Sequence, residues 1–358
     1  MEPRKPFVVL QEICPCSGFA EFHIGDDTGG AEHLGPSTLL PVIRVAYLGP
    51  EGTFTEEALR TQADLVAGET IPVRSVPEVF ATVDRGEADL GLVPIENAIE
   101  GSVALTLDVL AFESELLIQR EVDLPISLNL CARPGTALRD VRSILTMPMA
   151  VGQCREWLER KLPGVEVRAA NSTAEAAQEV SRSRKAGIAA IANAGAAKKY
   201  GLRNLATAIE DHDRNQTRFV LLGRGIPTPT GHDRTSIVCF QRSDRPGSLL
   251  AMLQEFAART INLTKVESRP TKHILGDYCF FIDFEGHISE PLVADCLRTL
   301  AAKQAKVKFL GSYPVAGGGA VARRSAAGKS WRDAKSWVDA LQAQVRNEAD
   351  VTKQRRHD

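Results

Sequence analysis

The stretch Asp89-Leu90-Gly91-Leu92-Val93-Pro94-Ile95 is a short apolar run, closed at once by Glu96 and Asn97. A run of this length bounded by polar residues reads as a buried strand, and such strands belong to α/β sheets covered by helices. A carboxylate and a carboxamide at the end of a core strand are costly to desolvate, which marks the pair for ligand binding or for capping the next helix.

The blocks around this run alternate in type. Val42–Leu48 reads as a strand, Gly49-Pro50 as a turn, and 53–63 as a helix with Thr53 as N-cap and Glu56 completing a capping box. IPVRSV, PEVFATVDRGEA and DLGLVPI follow as strand, helix and strand. A second block has LPISLNLCA as a strand, SILTMPMAV as strand and turn, and GQCREWLERKL as a helix. EVRAA is then a strand, STAEAAQEVSRS a helix capped by Ser172 or Thr173, and AGIAAIANAGAAKKYG a strand and helix stopped by Gly201. TRFVLLGRG closes this unit, so residues 43–225 predict two α/β lobes with a cleft between them. A Pro/Gly/Thr-rich linker spans 226–233, and 234–315 reads β-α-β-β-α-β, the ferredoxin-like order. Residues 1–42 lack sustained periodicity and predict a weakly ordered extension; 316–358 predict a spacer and a helix with Trp331, Trp337, Leu341 and Val345 on one face.

A net charge of −2 over 358 residues gives no field for nucleic acid or membranes, so small molecules and protein chains are the expected partners. No apolar stretch is long enough to span a bilayer. Seven dispersed cysteines, an odd number, predict reduced thiols in a cytoplasm, and Cys14/Cys16 have no second pair at zinc spacing. There is no GxGxxG or GxxxxGK[ST] loop, no HExxH, and no histidine near a nucleophile elbow. Polar candidates instead gather in three places. These are Glu96-Asn97 before Gly101-Ser102, Asn171-Ser172-Thr173 at a helix start, and Asn215-Gln216-Thr217-Arg218 before a strand. Each alone is compatible with capping or a turn; together they suit binding a polyanionic small molecule.

VAYLGPEGTFTEEAL, VPIENAIEGSV, NQTRFVLLG, RPGSLLAML and KVESRP, in this order, resemble prephenate dehydratases that carry a C-terminal ACT regulatory domain. The resemblance runs from Ile43 to Pro314. It implies a periplasmic-binding-protein-like two-lobed catalytic domain and conversion of prephenate to phenylpyruvate with loss of water and carbon dioxide, without metal or organic cofactor. By motif it implies that Thr217 donates to the leaving hydroxyl, with Asn97 and Gln153 as amide partners. Glu96 is either a general acid of raised pKa or the orienter of Asn97. Substrate contacts are implied for Phe219, Thr53, Thr146, Gly101 and Ser102, and a carboxylate cradle for Asn171, Ser172 and Thr173; Arg218 either meets a substrate carboxylate bidentately or is structural. Met147, Met149, Ala98 and Leu128 stand where many relatives have His, Gln, Ser and His, which puts an imidazole acid in doubt.

The ACT resemblance implies phenylalanine bound at a subunit interface by Gly247, Ser248, Leu249 and Leu250, by Asn262, and by Glu267, Ser268, Arg269 and Pro270. It also implies a homodimer or homotetramer. Arogenate, the amino analogue, is an alternative substrate, and a non-catalytic amino-acid sensor is an alternative role.

Overall fold

A computed structural model describes residues 42–241, 245–272, 276–304, 306–317, 333–334 and 336–343. The extension expected over 1–42 lies outside them apart from Val42, as do Cys14, Cys16, Trp331 and Val345. The expected terminal helix is described at 336–342, where Trp337 and Leu341 are exposed.

The first lobe comprises β1 (Arg44–Leu48), α1 (Phe54–Arg60), α2 (Ala63–Val66), β2 (Glu69–Val73), α3 (Val76–Asp84), β3 (Leu90–Asn97), β4 (Gly101–Ser102), α4 (Ala104–Phe112) and β5 (Leu117–Pro125). The second holds β6 (Asn129–Ala132), β7 (Ser143–Thr146), α5 (Pro148–Gln153), α6 (Arg155–Lys161), β8 (Glu166–Ala169), α7 (Thr173–Arg182), β9 (Ile188–Ala192), α8 (Ala194–Lys199) and β10 (Arg203–Ala206). The chain then returns to the first lobe as β11 (Gln216–Gly223). The sheets are ordered β2-β1-β3-β11-β5, with β4 on β3, and β10-β6-β9-β7-β8. Each therefore has a parallel triplet continued by antiparallel strands. Two such lobes crossed twice by the chain make the periplasmic-binding-protein-like layout.

Local chemistry explains the boundaries. Ser75 and Ser172 cap α3 and α7 by accepting from the amides of Glu78 and Glu175. Thr53 caps α1, but its capping box is not closed, because the Glu56 carboxylate accepts from Gly52 instead. Glu96 and Asn97 do not cap a helix. They extend β3 into a hairpin, Glu96 opposite Ser102 and Asn97 opposite Gly101, which turns through left-handed Gly101 (φ 80°). α4 starts later, at Ala104, with no side-chain cap.

The strand expected over LPISLNLCA divides at Ile126–Leu128, its start belonging to β5 and its end to β6 of the other lobe. α4, β10 and β5 before Leu124 have no counterpart in the sequence analysis. α4 is buried over most of Thr106–Ala111 and so shows no polar face, while β5 interrupts its apolar pattern with Arg120, Glu121 and Asp123.

The third unit comprises β12 (Asp233–Phe240), α9 (Ser248–Ala257), β13 (Leu263–Pro270), β14 (Tyr278–Glu285), α10 (Pro291–Lys303) and β15 (Lys306–Pro314), with antiparallel order β13-β14-β12-β15. Its sheet does not hang from a linker. Val238, Cys279, Phe281, Leu310 and Tyr313 share one buried cluster with Val93, Ile95, Val220 and Leu222 of the first lobe. The opposite face of the first-lobe sheet, with Tyr47, Leu92, Phe219 and Leu221, shares a second cluster with Leu130, Ile144 and Ile191 of the second lobe.

Gly311 lets β15 lie against β5. It sits at φ 147°, and an added Cβ would stand 2.6 Å from the Ile118 carbonyl oxygen, a backbone atom that cannot swing aside. Gly311→Ala is expected to lower the free energy of urea unfolding by about 1–3 kcal/mol through overpacking and strain. An unchanged midpoint would contradict this close approach.

Candidate active site

In parallel sheets, ligands meet the carboxyl ends of the strands. Those ends carry Thr53 after β1, Asn97 on β3, Thr146 and Gln153 at β7 and α5, and Asn171–Thr173 after β8. Two of these, Asn97 and Gln153, join Thr217 in one hydrogen-bonded chain. Asn97 and Thr217 lie opposite each other across β3 and β11, so their side chains share a face. Asn97 Nδ2 donates to Thr217 Oγ1 (2.9 Å) and to Asn215 Oδ1 (2.8 Å). Asn215 Nδ2 donates to Gln153 Oε1 (3.1 Å), and Gln153 Nε2 faces Glu100 Oε1 at 3.4 Å. The chain thus bridges the lobes. Asn215 stands in the Asn-Gln-Thr-Arg cluster, yet nothing local singles it out, since its partners lie 118 and 62 residues away.

Arg218 and Glu96 occupy the other face, because strand side chains alternate. Arg218 pairs with Glu96, with Glu121 (3.0 Å) and with Asp283 of β14 (3.4 Å), and Arg234 of β12 also pairs with Glu121. Lys265 stands 3.3 Å from Glu96. Two expectations are corrected by this geometry. Arg218 meets internal carboxylates facing the third unit rather than the cleft. Glu96 neither orients Asn97 nor has a raised pKa. Burial pushes its carboxyl up, but Arg218 and Lys265 outweigh burial and hold it below the ordinary 4.5. What orients Asn97 is the backbone: Ile99 and Glu100 donate their N–H groups to its Oδ1 at 2.9 and 3.0 Å.

Other implied substrate contacts are also relocated. Phe219 lies in the core beneath the cleft, 1% exposed. Thr146 is fully buried and donates to the Ile191 carbonyl at 3.0 Å. Ser102 is engaged by Lys265 and Glu267 at the boundary with the third unit. Ser172 caps α7 by accepting from the Glu175 amide, the Glu175 carboxylate accepts from the Asn171 amide, and Thr173 is buried in the first turn. Of the departures, Leu128 is core, while Met149 is exposed on α5. Thr53 lines a cavity of about 500 Å³ with Glu57, Arg60, Asn193 and Lys198, where Glu57 accepts from Asn193 (2.8 Å) across the lobes.

In the third unit, Gly247 takes a left-handed φ of 85° and opens α9, and with Ser248, Leu249, Leu250 and Tyr278 it lines a cavity of about 420 Å³. Glu267 and Arg269 turn away from this cavity toward the first lobe, where Arg269 pairs with Asp108 at 2.6 Å. Ser268 and Pro270 alternate onto the exposed face of β13, and Asn262 donates to Glu285 (3.1 Å). The period-2 alternation of β13 divides the ESRP motif between two surfaces.

Depressed carboxyl pKa values stabilise the fold above their unfolded values, and that stability is lost as pH falls through the folded ones. Glu96 and Asp108 are both lowered, burial being outweighed by their cationic partners. Unfolding free energy should therefore fall as pH drops below 4.5, and less steeply in a Glu96→Gln, Asp108→Asn variant. An identical slope would contradict the assignment. At neutral pH, Arg218→Met should lower stability by about 3–5 kcal/mol, because Glu121 and Asp283 lose their buried partner; a loss near zero would show the network to be idle.

A prephenate dehydratase family model matches residues 45–226, and an ACT domain model matches residues 235–302. A prephenate dehydratase of Mycolicibacterium vanbaalenii is 45% identical over 312 residues, covering 83% of this chain and 97% of its own. The structure of the Arthrobacter aurescens prephenate dehydratase in complex with L-Phe has a TM-score of 0.77 at 39% identity, covering 84% of this chain and all of its own. GqqA, a quorum-quenching acylase, has a TM-score of 0.69 at 29% identity, covering 76% and 98%. With both domain models matched in order and relatives aligned over nearly their whole length, the chain belongs to the prephenate dehydratase family and carries an ACT domain.

Proposed function

We propose that the chain converts prephenate to phenylpyruvate, releasing water and carbon dioxide, on the route to phenylalanine. As the bond to the departing carboxylate breaks and carbon dioxide leaves, its electron pair enters the ring; the ring C–O bond then breaks with its own pair going to oxygen, and the departing oxygen takes one proton from solvent to become water. The product ring is aromatic, so the protein's task is to orient the dianion and stabilise charge on the departing oxygen. One observation carries this reading. Thr217 Oγ1 already accepts a hydrogen bond from Asn97, so its own O–H is turned to another acceptor, here the leaving hydroxyl. A threonine is too weak an acid for full proton transfer at its ordinary pKa, so the contribution is a hydrogen bond that strengthens as charge develops. Gln153 donates from the facing lobe, and the start of α1, with Thr53, receives a carboxylate.

The likeness to an acylase favours no second reading. Amide hydrolysis asks for a nucleophile beside a base, whereas the partner of Thr217 is a donating carboxamide.

For regulation, the cavity lined by Gly247–Leu250 is half of a phenylalanine site, completed by a second copy paired through the exposed face of β13. Support comes from the left-handed glycine, the open edge strand and the L-Phe complex of the Arthrobacter relative. The assembly is then a homodimer or a tetramer built from two dimers. The cytoplasm fits the five buried free cysteines among the described residues, four of them pushed up to about 12 by burial.

Purified protein should form phenylpyruvate from prephenate faster than phenylalanine from arogenate; no turnover of either would sink the enzyme reading. Thr217→Val should fold normally and lose about 100-fold or more in kcat, the scale of one missing transition-state donor; near-normal turnover would remove Thr217 from the mechanism. Phenylalanine should change activity or oligomeric state in the wild type, and Gly247→Val should blunt that response. A wild type indifferent to phenylalanine would end the effector assignment.

A further inference from the structure

We infer that Asn215 is a positioning residue, one that carries a fixed hydrogen-bond direction from the β3–β4 hairpin across the cleft to Gln153; this rests on the reading of Thr217, Asn97 and Gln153 as the reacting site. Carboxamides can face either way, so a chain of three needs something irreversible to set its sense. Here two backbone N–H groups do so. Ile99 and Glu100 can only donate, so the atom of Asn97 that faces them is oxygen. Its Nδ2 must then face Asn215, Thr217 and the Gln216 carbonyl, which lies 3.2 Å away.

The sense propagates from there. Asn215 must present Oδ1 to Asn97, which leaves Nδ2 for Gln153. Gln153 must present Oε1 to Asn215 and is left holding Nε2 toward Glu100, at a looser 3.4 Å. Asn215 is 1% exposed, and its backbone carbonyl accepts from Ile126 at 2.8 Å, so the residue is pinned at the point where β5 leaves the first lobe. It touches both lobes and is too buried to be a principal contact of substrate. Asn97 alone leaves the Thr217 O–H to donate at one end; what Asn215 adds is that Gln153 presents Nε2, beside Glu100, at the other. A dianionic substrate with a departing hydroxyl asks for donors only. A Gln153 turned the other way would present its carbonyl oxygen in place of that donor.

Asn215→Asp isolates one link. Its carboxylate still accepts from Asn97 but cannot donate to Gln153, so Gln153 reverses and turns its oxygen to Glu100 and the cleft. At neutral pH, kcat should fall about tenfold to 100-fold, the cost of one buried donor lost and one acceptor misdirected. Because the protonated carboxyl again supplies an O–H donor, the ratio of variant to wild-type kcat should recover as pH is lowered. In a Gln153→Ala background the same replacement should cost less than threefold, since the link it breaks is already gone.

Three results would overturn the inference: wild-type kcat for Asn215→Asp, a loss independent of pH, or the full loss persisting without Gln153. Should that variant fold poorly by thermal melting, Gln153→Glu reads the link from its other end. It accepts from Asn215 but cannot donate until protonated, so it must show the same recovery in acid, and a pH-independent loss there counts equally against the inference. The Thr217→Val result is separate: if that variant keeps turnover, the donor assignment falls, whereas the Asn215→Asp pH profile tests the relay alone.

Discussion

Side chains along β11 alternate between two faces of a single sheet, and the organisation of the molecule follows from that alternation. Thr217, Phe219 and Leu221 face the second lobe, the first beside the cleft and the others in the core beneath it. Arg218, Val220 and Leu222 face the ACT sheet, the first in an ionic network and the others in the shared apolar cluster. A one-residue slip would exchange the faces and bury Thr217 among carboxylates. The pairing of Arg218 with Glu121 and Asp283 therefore fixes the register of the strand that presents Thr217.

Because the ACT sheet shares a core with the catalytic sheet, the two domains are mechanically continuous. Besides the packing of β15 on β5, they meet at the β3–β4 hairpin. Its inner face bears Asn97; its outer face is clasped by Lys265 and Glu267 through Glu96 and Ser102. Arg269 and Lys272 hold Asp108 of α4 just beyond it. The charged residues of the regulatory motif thus act as fasteners on the catalytic lobe, while the small and exposed ones, Ser268 and Pro270, face outward.

Much of this was legible locally. Period-2 apolar runs, a Ser cap followed by Glu, and glycines at turns fix β3, β13, α7 and α10 from neighbouring residues alone, and β13 begins and ends where LTKVESRP does. What was not legible depends on partners remote in sequence. β5 carries Glu121 and Asp123 inside a core strand, a pattern that makes sense only once Arg218 and Arg234 are opposite them. α4 is buried on nearly every side and has no amphipathic signature. Glu96 and Asn97 are adjacent in sequence, yet a strand sends them to opposite faces, one to a salt bridge and one to the cleft. Asn215 looked like an ordinary turn residue because its role depends on Asn97 and Gln153, which only the fold brings to it.

The central claim is that Thr217, with its oxygen already occupied by Asn97, offers its proton to the hydroxyl that leaves the substrate. The most direct test is a crystal structure of the protein with an inert prephenate analogue that retains the ring hydroxyl and both carboxylates. The ring hydroxyl oxygen should lie within about 3 Å of Thr217 Oγ1, with Asn97 Nδ2 still donating to that oxygen. An analogue bound with its hydroxyl out of reach of Thr217, or with Asn97 turned away from it, would contradict the account.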